Sequence, residues 1–279
     1  MIRANILEEI HKQYIIYQLL CALKFMHTGQ LLHRDMKPSN LLLNSECLMK
    51  VADFGLARSM ERQADANMTD YVATRWYRAP EILLGSPHYT YGVDMWSIGC
   101  ILGELIGGKP MFPGTSTLNQ LERIIEVTGQ PSAPDIAATK SQYAATMMES
   151  LPKSRARRLE DLYPTAPEHS IDLMRRLLQF NPERRITAEE ALLHPYVAKF
   201  HDPTNEPAAL HTIRAAIDDN TKFSIQEYRD KLYGEIRAKR REERERGRGG
   251  AGSRRAARPA LRGGGESANK WKYTDRQGR

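Results

Sequence analysis

The 279 residues are 41% hydrophobic and 27% charged, the balance of a globular chain with ample material for a core. No apolar run approaches membrane-spanning length, and the first residues lack the basic-then-apolar shape of a secretory leader. The net charge of +7 is concentrated near the end: residues 237–279 hold 15 Lys and Arg against 5 acids, and the remainder hold 26 against 29. Cys21, Cys47 and Cys100 are odd in number and far apart, which suits buried thiols better than a disulfide framework or a zinc site. The expected compartment is therefore cytoplasmic or nuclear.

In chain order, residues 7–27 are rich in apolar side chains and stop at Gly29, the pattern of a largely buried helix. Leu31-Leu32 leads into a polar loop, and strand-like runs at 41–43 and 48–51 flank the turn Asn44-Ser45-Glu46-Cys47. Residues 53–81 show little periodicity, the mark of a long functional loop. Residues 93–106 are apolar nearly all round and predict a central buried helix. Asp94 near its start then needs partners, and backbone amides of the loop after Leu32 are natural ones. An amphipathic helix is expected over 118–127, and irregular chain over the proline-bearing stretch 131–167, which holds a basic cluster at Arg155, Arg157 and Arg158. Short helices follow at 171–178 and 188–193, the second opened by a Thr187/Glu190 capping box. Ser224 and Glu227 open a last helix that frays into the charged run 237–246. Residues 247–279 are Gly/Arg-rich and are expected to be disordered.

Two stretches carry chemistry. One is His33-Arg34-Asp35-Met36-Lys37-Pro38-Ser39-Asn40, and the other is Asp53-Phe54-Gly55. Asp35 can accept a hydroxyl proton, Lys37 can neutralise a transferring phosphoryl group, and Asn40 and Asp53 can hold magnesium. In this order, with strand-like residues between them, the two resemble a protein-kinase catalytic loop and metal-binding turn. Over residues 5–236 the chain resembles the C-terminal lobe of a mitogen-activated protein kinase. Residues 44–47, 114–129 and 218–236 look most like the atypical branch that includes mitogen-activated protein kinase fifteen.

The resemblance implies a mainly α fold: a kinase-like C-lobe over residues 1–200 with a short β-hairpin at the catalytic and metal-binding loops. The catalytic loop would be 33–40, the activation loop 53–81 and the insert 131–167. Residues 201–246 would form an extension packing on the lobe, followed by the disordered basic tail. It implies ATP and Mg2+ as cofactors, held by Lys37, Asn40, Leu42 and Asp53, and protein substrates phosphorylated at Ser-Pro or Thr-Pro sites. Thr69 and Tyr71 match a dual phosphorylation motif, modified by an upstream kinase or by the protein itself, with Arg34, Arg58, Arg75 and Arg78 as phosphate collectors and substrate pocket. Thr74 matches a residue hydrogen-bonded near Asp35 and Lys37, and Glu81 and Arg185 match a buried pair that pins the end of the loop.

Two departures from the family pattern qualify this reading. Asn205 stands where one of two docking aspartates is expected, beside Asp202. Nothing before the first long helix matches a glycine-rich phosphate cover, a strand lysine or its partner glutamate, so the 279 residues are expected to be inactive alone. Gly247 to Gly252 satisfy G-x-G-x-x-G literally but follow no strand, and so carry no nucleotide site. His33 reads as a packed histidine supporting the loop, because Asp35 takes the chemistry. Residues 153–158 read as a solvated face. The tail's arginines could contact nucleic acid or an anionic surface weakly, although a solvated extension is the simpler reading. The sequence thus supports a serine/threonine protein kinase or, alternatively, a non-catalytic C-lobe serving as a docking module.

Overall fold

A computed structural model describes residues 6–60, 75–88, 90–153, 155–214 and 221–253. The chain divides into two units, residues 1–214 and 215–279. The first unit is built around α3 (Gly92–Gly107), in which every residue from Val93 to Leu105 is buried, Trp96 completely. α1 (Glu9–Thr28) packs on one side of it through Ile16, Leu19, Leu20 and Leu23, all fully buried, and α8 (Glu168–Leu177) packs on another. The close approach of α3 and α8 depends on Gly99: a Cβ there would lie 2.7 Å from carbons of Leu178, closer than real carbons pack.

The strands are short. β1 (Leu31–Leu32) pairs antiparallel with β4 (Arg58–Ser59), and β2 (Leu41–Leu43) pairs antiparallel with β3 (Met49–Val51), aligning Leu41 with Val51 and Leu43 with Met49. β4 lies inside the stretch expected to be loop. Two residues with backbone partners across β1 are too short a run to show periodicity. Gln18 on α1 clamps the hairpin turn, donating to Cys47 O at 2.9 Å and accepting from Met49 N at 2.9 Å.

α2 (Pro80–Leu83) and α4 (Thr117–Thr128) follow in the region after the long loop. The stretch 131–167 is not irregular: it holds α5 (Ala133–Ala138), α6 (Ala144–Glu149) and α7 (Leu159–Leu162). Its prolines suggest breakers, but Pro134 sits in the first turn of α5, where the missing N–H costs nothing. Ser132 and Asp135 complete a capping box there. Thr187 and Glu190 form another at the start of α9 (Ala188–Leu192). Residues 201–214 belong to the first unit, where Ile213 N donates to Gly29 O at 2.7 Å.

In the second unit, α10 spans Ile225–Ser253. Ser224 and Glu227 exchange hydrogen bonds at its start. The helix continues past the charged run into the Gly/Arg-rich segment. Each residue added to a formed helix gains a hydrogen bond, although glycines cost about 1 kcal/mol apiece. Residues 254–279 lie outside the described residues. Among the described residues no helix is long and apolar enough to cross a membrane.

Candidate active site

The site is set by an acid inside an apolar helix. Asp94, in the first turn of α3, is fully buried. Its Oδ1 accepts from Arg34 N at 2.8 Å, its Oδ2 accepts from His33 N at 3.0 Å, and His27 Nε2 of α1 faces Oδ2 at 3.1 Å. Burial pushes the Asp94 carboxyl up, but the His27 hydrogen bond and charge and the two amides outweigh it and hold the carboxyl below its ordinary range. Arg34 is held at φ 69, a left-handed conformation that costs a residue with a side chain about 1–3 kcal/mol. The buried carboxylate fixes that conformation from beneath.

His33, also fully buried, ties the loop to the hairpin. Its Nδ1 accepts from Asp35 N at 3.3 Å, leaving Nε2 as the donor to Ala52 O at 3.1 Å, and its ring meets Phe54 edge-on. Asp35 Oδ2 receives Lys37 Nζ at 2.6 Å and Asn40 Nδ2 at 3.2 Å, and Asn40 Nδ2 also donates to Asp35 O at 2.8 Å. The Lys37 ammonium and the Asn40 amide therefore share one carboxylate oxygen of Asp35.

Ala52 N donates to Asn40 O at 2.8 Å, which joins the catalytic loop to the residue before Asp53. Asp53 is exposed and left-handed, at φ 64, with Gly55 N 3.4 Å from its Oδ1. Among the described residues no three His, Cys, Asp or Glu side chains come together as a metal cage. Asp53 and the Asn40 amide oxygen nevertheless fit magnesium, which takes one or two hard oxygen ligands and keeps several waters. Leu42 and Phe54 are 57% and 48% exposed. Leu42 borders a 650 Å³ cavity shared with Leu7, Ile15, Lys37, Trp76 and Glu104.

The expected phosphate collectors divide by location. Arg58 on β4 stands opposite Leu32, two residues before Arg34, so both arginines flank the start of the catalytic loop. Arg58 Nη1 donates to its neighbour Ala57 O at 2.7 Å. Arg75 Nη1 donates to Thr115 O at 3.0 Å, and Arg78 N donates to Arg75 O at 3.1 Å. Thr69, Tyr71 and Thr74 lie outside the described residues. Glu81 and Arg185 form a two-pronged pair, both distances 2.6 Å, with both residues buried.

Several supports left no mark in the sequence reading. His27 is one, and Glu104, which accepts from Tyr77 OH at 2.7 Å, is another. A third is the bracket around Trp76, whose Nε1 donates to Gly114 O at 3.0 Å while Gly114 N donates to Gln120 Oε1 at 3.0 Å. Fully buried Gln120 was the available signal, a polar residue on the apolar face of α4. A Cβ on Gly114 would sit 2.6 Å from Gln120 Cα, so Gly114→Ala is expected to cost about 1–3 kcal/mol in urea unfolding. An unchanged midpoint would show that the bracket is slack. Near the expected docking groove, the Asp202 carboxylate accepts from Thr204 N and from Asn205 Nδ2. Buried Glu206 bonds His201 and Asp202 N, with Lys24 3.7 Å away.

The protein kinase domain family matches residues 1–197. Extracellular signal-regulated kinase 2 of Dictyostelium discoideum is 66% identical over 249 residues, covering 88% of this chain and 68% of that protein. Mitogen-activated protein kinase 15 of Xenopus laevis is 52% identical, covering 83% of this chain and 40% of its own length. The Caenorhabditis elegans protein of that name is 47% identical, covering 85% and 52%. The chain thus spans between two fifths and about two thirds of these relatives.

Proposed function

The chain belongs to the protein kinase family, among its mitogen-activated members, and on that premise we propose that it carries the substrate side of a serine/threonine kinase acting on Ser-Pro or Thr-Pro sites. The observation that carries this reading is the Asp35 carboxylate, met at once by Lys37 and Asn40 on a loop held from below by Asp94. Asp35 is suited to orient a substrate hydroxyl and take its proton, and Lys37 to offset charge gathering on the transferring group. Asn40 and Asp53 would hold magnesium, with Leu42 against the nucleotide. Magnesium-ATP, when bound, supplies the phosphoryl group. Phosphorylation at Thr69 and Tyr71, by an upstream kinase or by the protein itself, is proposed to order the loop through Arg34, Arg58, Arg75 and Arg78. Similarity to the two proteins named mitogen-activated protein kinase 15 supports placement in that atypical branch.

In the natively expressed protein, Asp35→Asn is expected to lower phosphate transfer to a Thr-Pro peptide by about 10²–10⁴-fold, with folding intact. Transfer undiminished by that change would remove the reading. A second reading, a non-catalytic docking module, is favoured by the exposed side chains of Leu42, which borders the 650 Å³ cavity, and Phe54. The two separate on magnesium-ATP. For the 279 residues alone, no rise in melting temperature is expected. A magnesium-dependent rise abolished by Asp53→Ala would place a working nucleotide site within them.

A further inference from the structure

A second cleft lies away from the catalytic loop, between the end of α4, the segment before α7 and the end of α8. It has a volume of 480 Å³ and is lined by four arginines from three places in the chain: Arg157 and Arg158, Arg175 of α8, and Arg184 beyond it. Two carboxylates share it. Glu160 is gripped by Arg175 at 2.7 Å with Arg158 at 3.7 Å, and Asp135 meets Arg184 at 3.1 Å and Asn181 Nδ2 at 3.1 Å. Two positive charges remain in excess. The arginine side chains at 158, 175 and 184 are 73%, 50% and 62% exposed, so their pairs are solvent-screened and readily exchanged. Beneath them the lining is apolar, with Leu159, Leu178 and Phe180 buried.

We propose that this cleft docks a phosphorylated peptide segment, the phosphate displacing Glu160 from Arg175 and Arg158 and a neighbouring apolar side chain resting over Leu159, Leu178 and Phe180. Glu160 already occupies the arginines as an internal carboxylate, which shows that their geometry accepts an anion. A phosphate brings more charge and three acceptor oxygens, and arginine forks suit it. A cavity of this size receives one anionic group and one adjoining side chain. A nucleic acid instead presents a row of phosphates to a long basic track. The sequence alone makes residues 153–158 a solvated face. Arg175 and Arg184, distant in the chain, turn that face into a cleft. None of these residues belongs to the catalytic loop, so the proposal stands or falls apart from phosphoryl transfer.

The test is fluorescence anisotropy with the full chain and a labelled peptide bearing one phosphothreonine between a leucine and a glutamate. Saturable binding is expected, at least about tenfold tighter than to the unphosphorylated peptide. The paired change Arg175→Glu with Arg184→Glu is expected to weaken it by about tenfold or more at unchanged circular dichroism. Glu160→Gln, which removes the internal competitor, is expected to tighten binding and keeps the test decisive if the paired variant misfolds. Equal binding of both peptides, or a Glu160→Gln variant no tighter than wild type, overturns the proposal. So does displacement by inorganic phosphate at the peptide's own concentration, which would mark a simple ion site. Tight binding to phosphatidylserine vesicles that the phosphopeptide cannot displace would assign the cleft to a membrane surface instead.

Discussion

Replacing Arg185 with methionine is expected to destabilise the protein by about 3–5 kcal/mol, the cost of leaving a buried anion without its partner. Glu81 is 2% exposed and receives both guanidinium prongs at 2.6 Å. Arg185 does more than neutralise it. Its Nε donates to Gln179 O, its Nη1 to Gly92 O and its Nη2 to Phe180 O, so all five N–H donors are used. The guanidinium also lies 5.1 Å from the ring centre of Trp96. One side chain therefore joins α2, the start of α3 and the end of α8. Glu81→Gln should cost less, because the three carbonyls keep their donor. Replacing both residues with methionine should recover part of the loss but not all, since those carbonyls stay unpaired. Urea midpoints for the three variants check the order. A cost below about 1 kcal/mol for Arg185→Met would put the pair in the class of surface ion pairs.

How much could be read in advance followed from how local each interaction is. Asp35, Lys37 and Asn40 fall within six positions, so their convergence is a property of one loop and visible in its spelling. The capping boxes at Thr187 and Ser224 are equally local. Asp94 stands out because the helix around it is apolar, and the loop amides expected as its partners are its donors, 60 and 61 residues away; its third partner, His27, 67 away on another helix, has no such signal. No periodicity encodes such a meeting. The pair of Glu81 with Arg185, 104 positions apart, was reachable only through family resemblance. Prolines misled over 131–167, because a proline that ends one helix and a proline that opens another look alike until the preceding cap, here Ser132, is weighed. The arginine cleft was hidden for the same reason as His27: its lining comes from segments that only the packing of α4, α7 and α8 brings together.

Asp94→Asn is expected to cost about 3 kcal/mol near neutral pH and, on the proposed kinase function, to slow phosphate transfer by about 10²-fold in the natively expressed protein. An asparagine has one acceptor where the carboxylate has two, so one of the amides of His33 and Arg34 must face an NH2 group. A buried donor then goes unpaired, and Arg34 loses the contact that holds its left-handed backbone. Because Asp35 follows directly, the loss reaches the reacting oxygen as displacement rather than as missing charge, and kcat should fall more than KM rises. The pH dependence separates ionisation from shape. The folded carboxyl lies below its ordinary value, so it contributes stability that is complete above the unfolded value of about 3.9 and is lost as pH falls through the folded one. The gap between wild type and Asp94→Asn should therefore begin to close as pH falls below about 4. A gap unchanged down to pH 3 would mean that Asp94 is not ionised in the native state, and the catalytic loop would then rest on packing rather than on a buried charge.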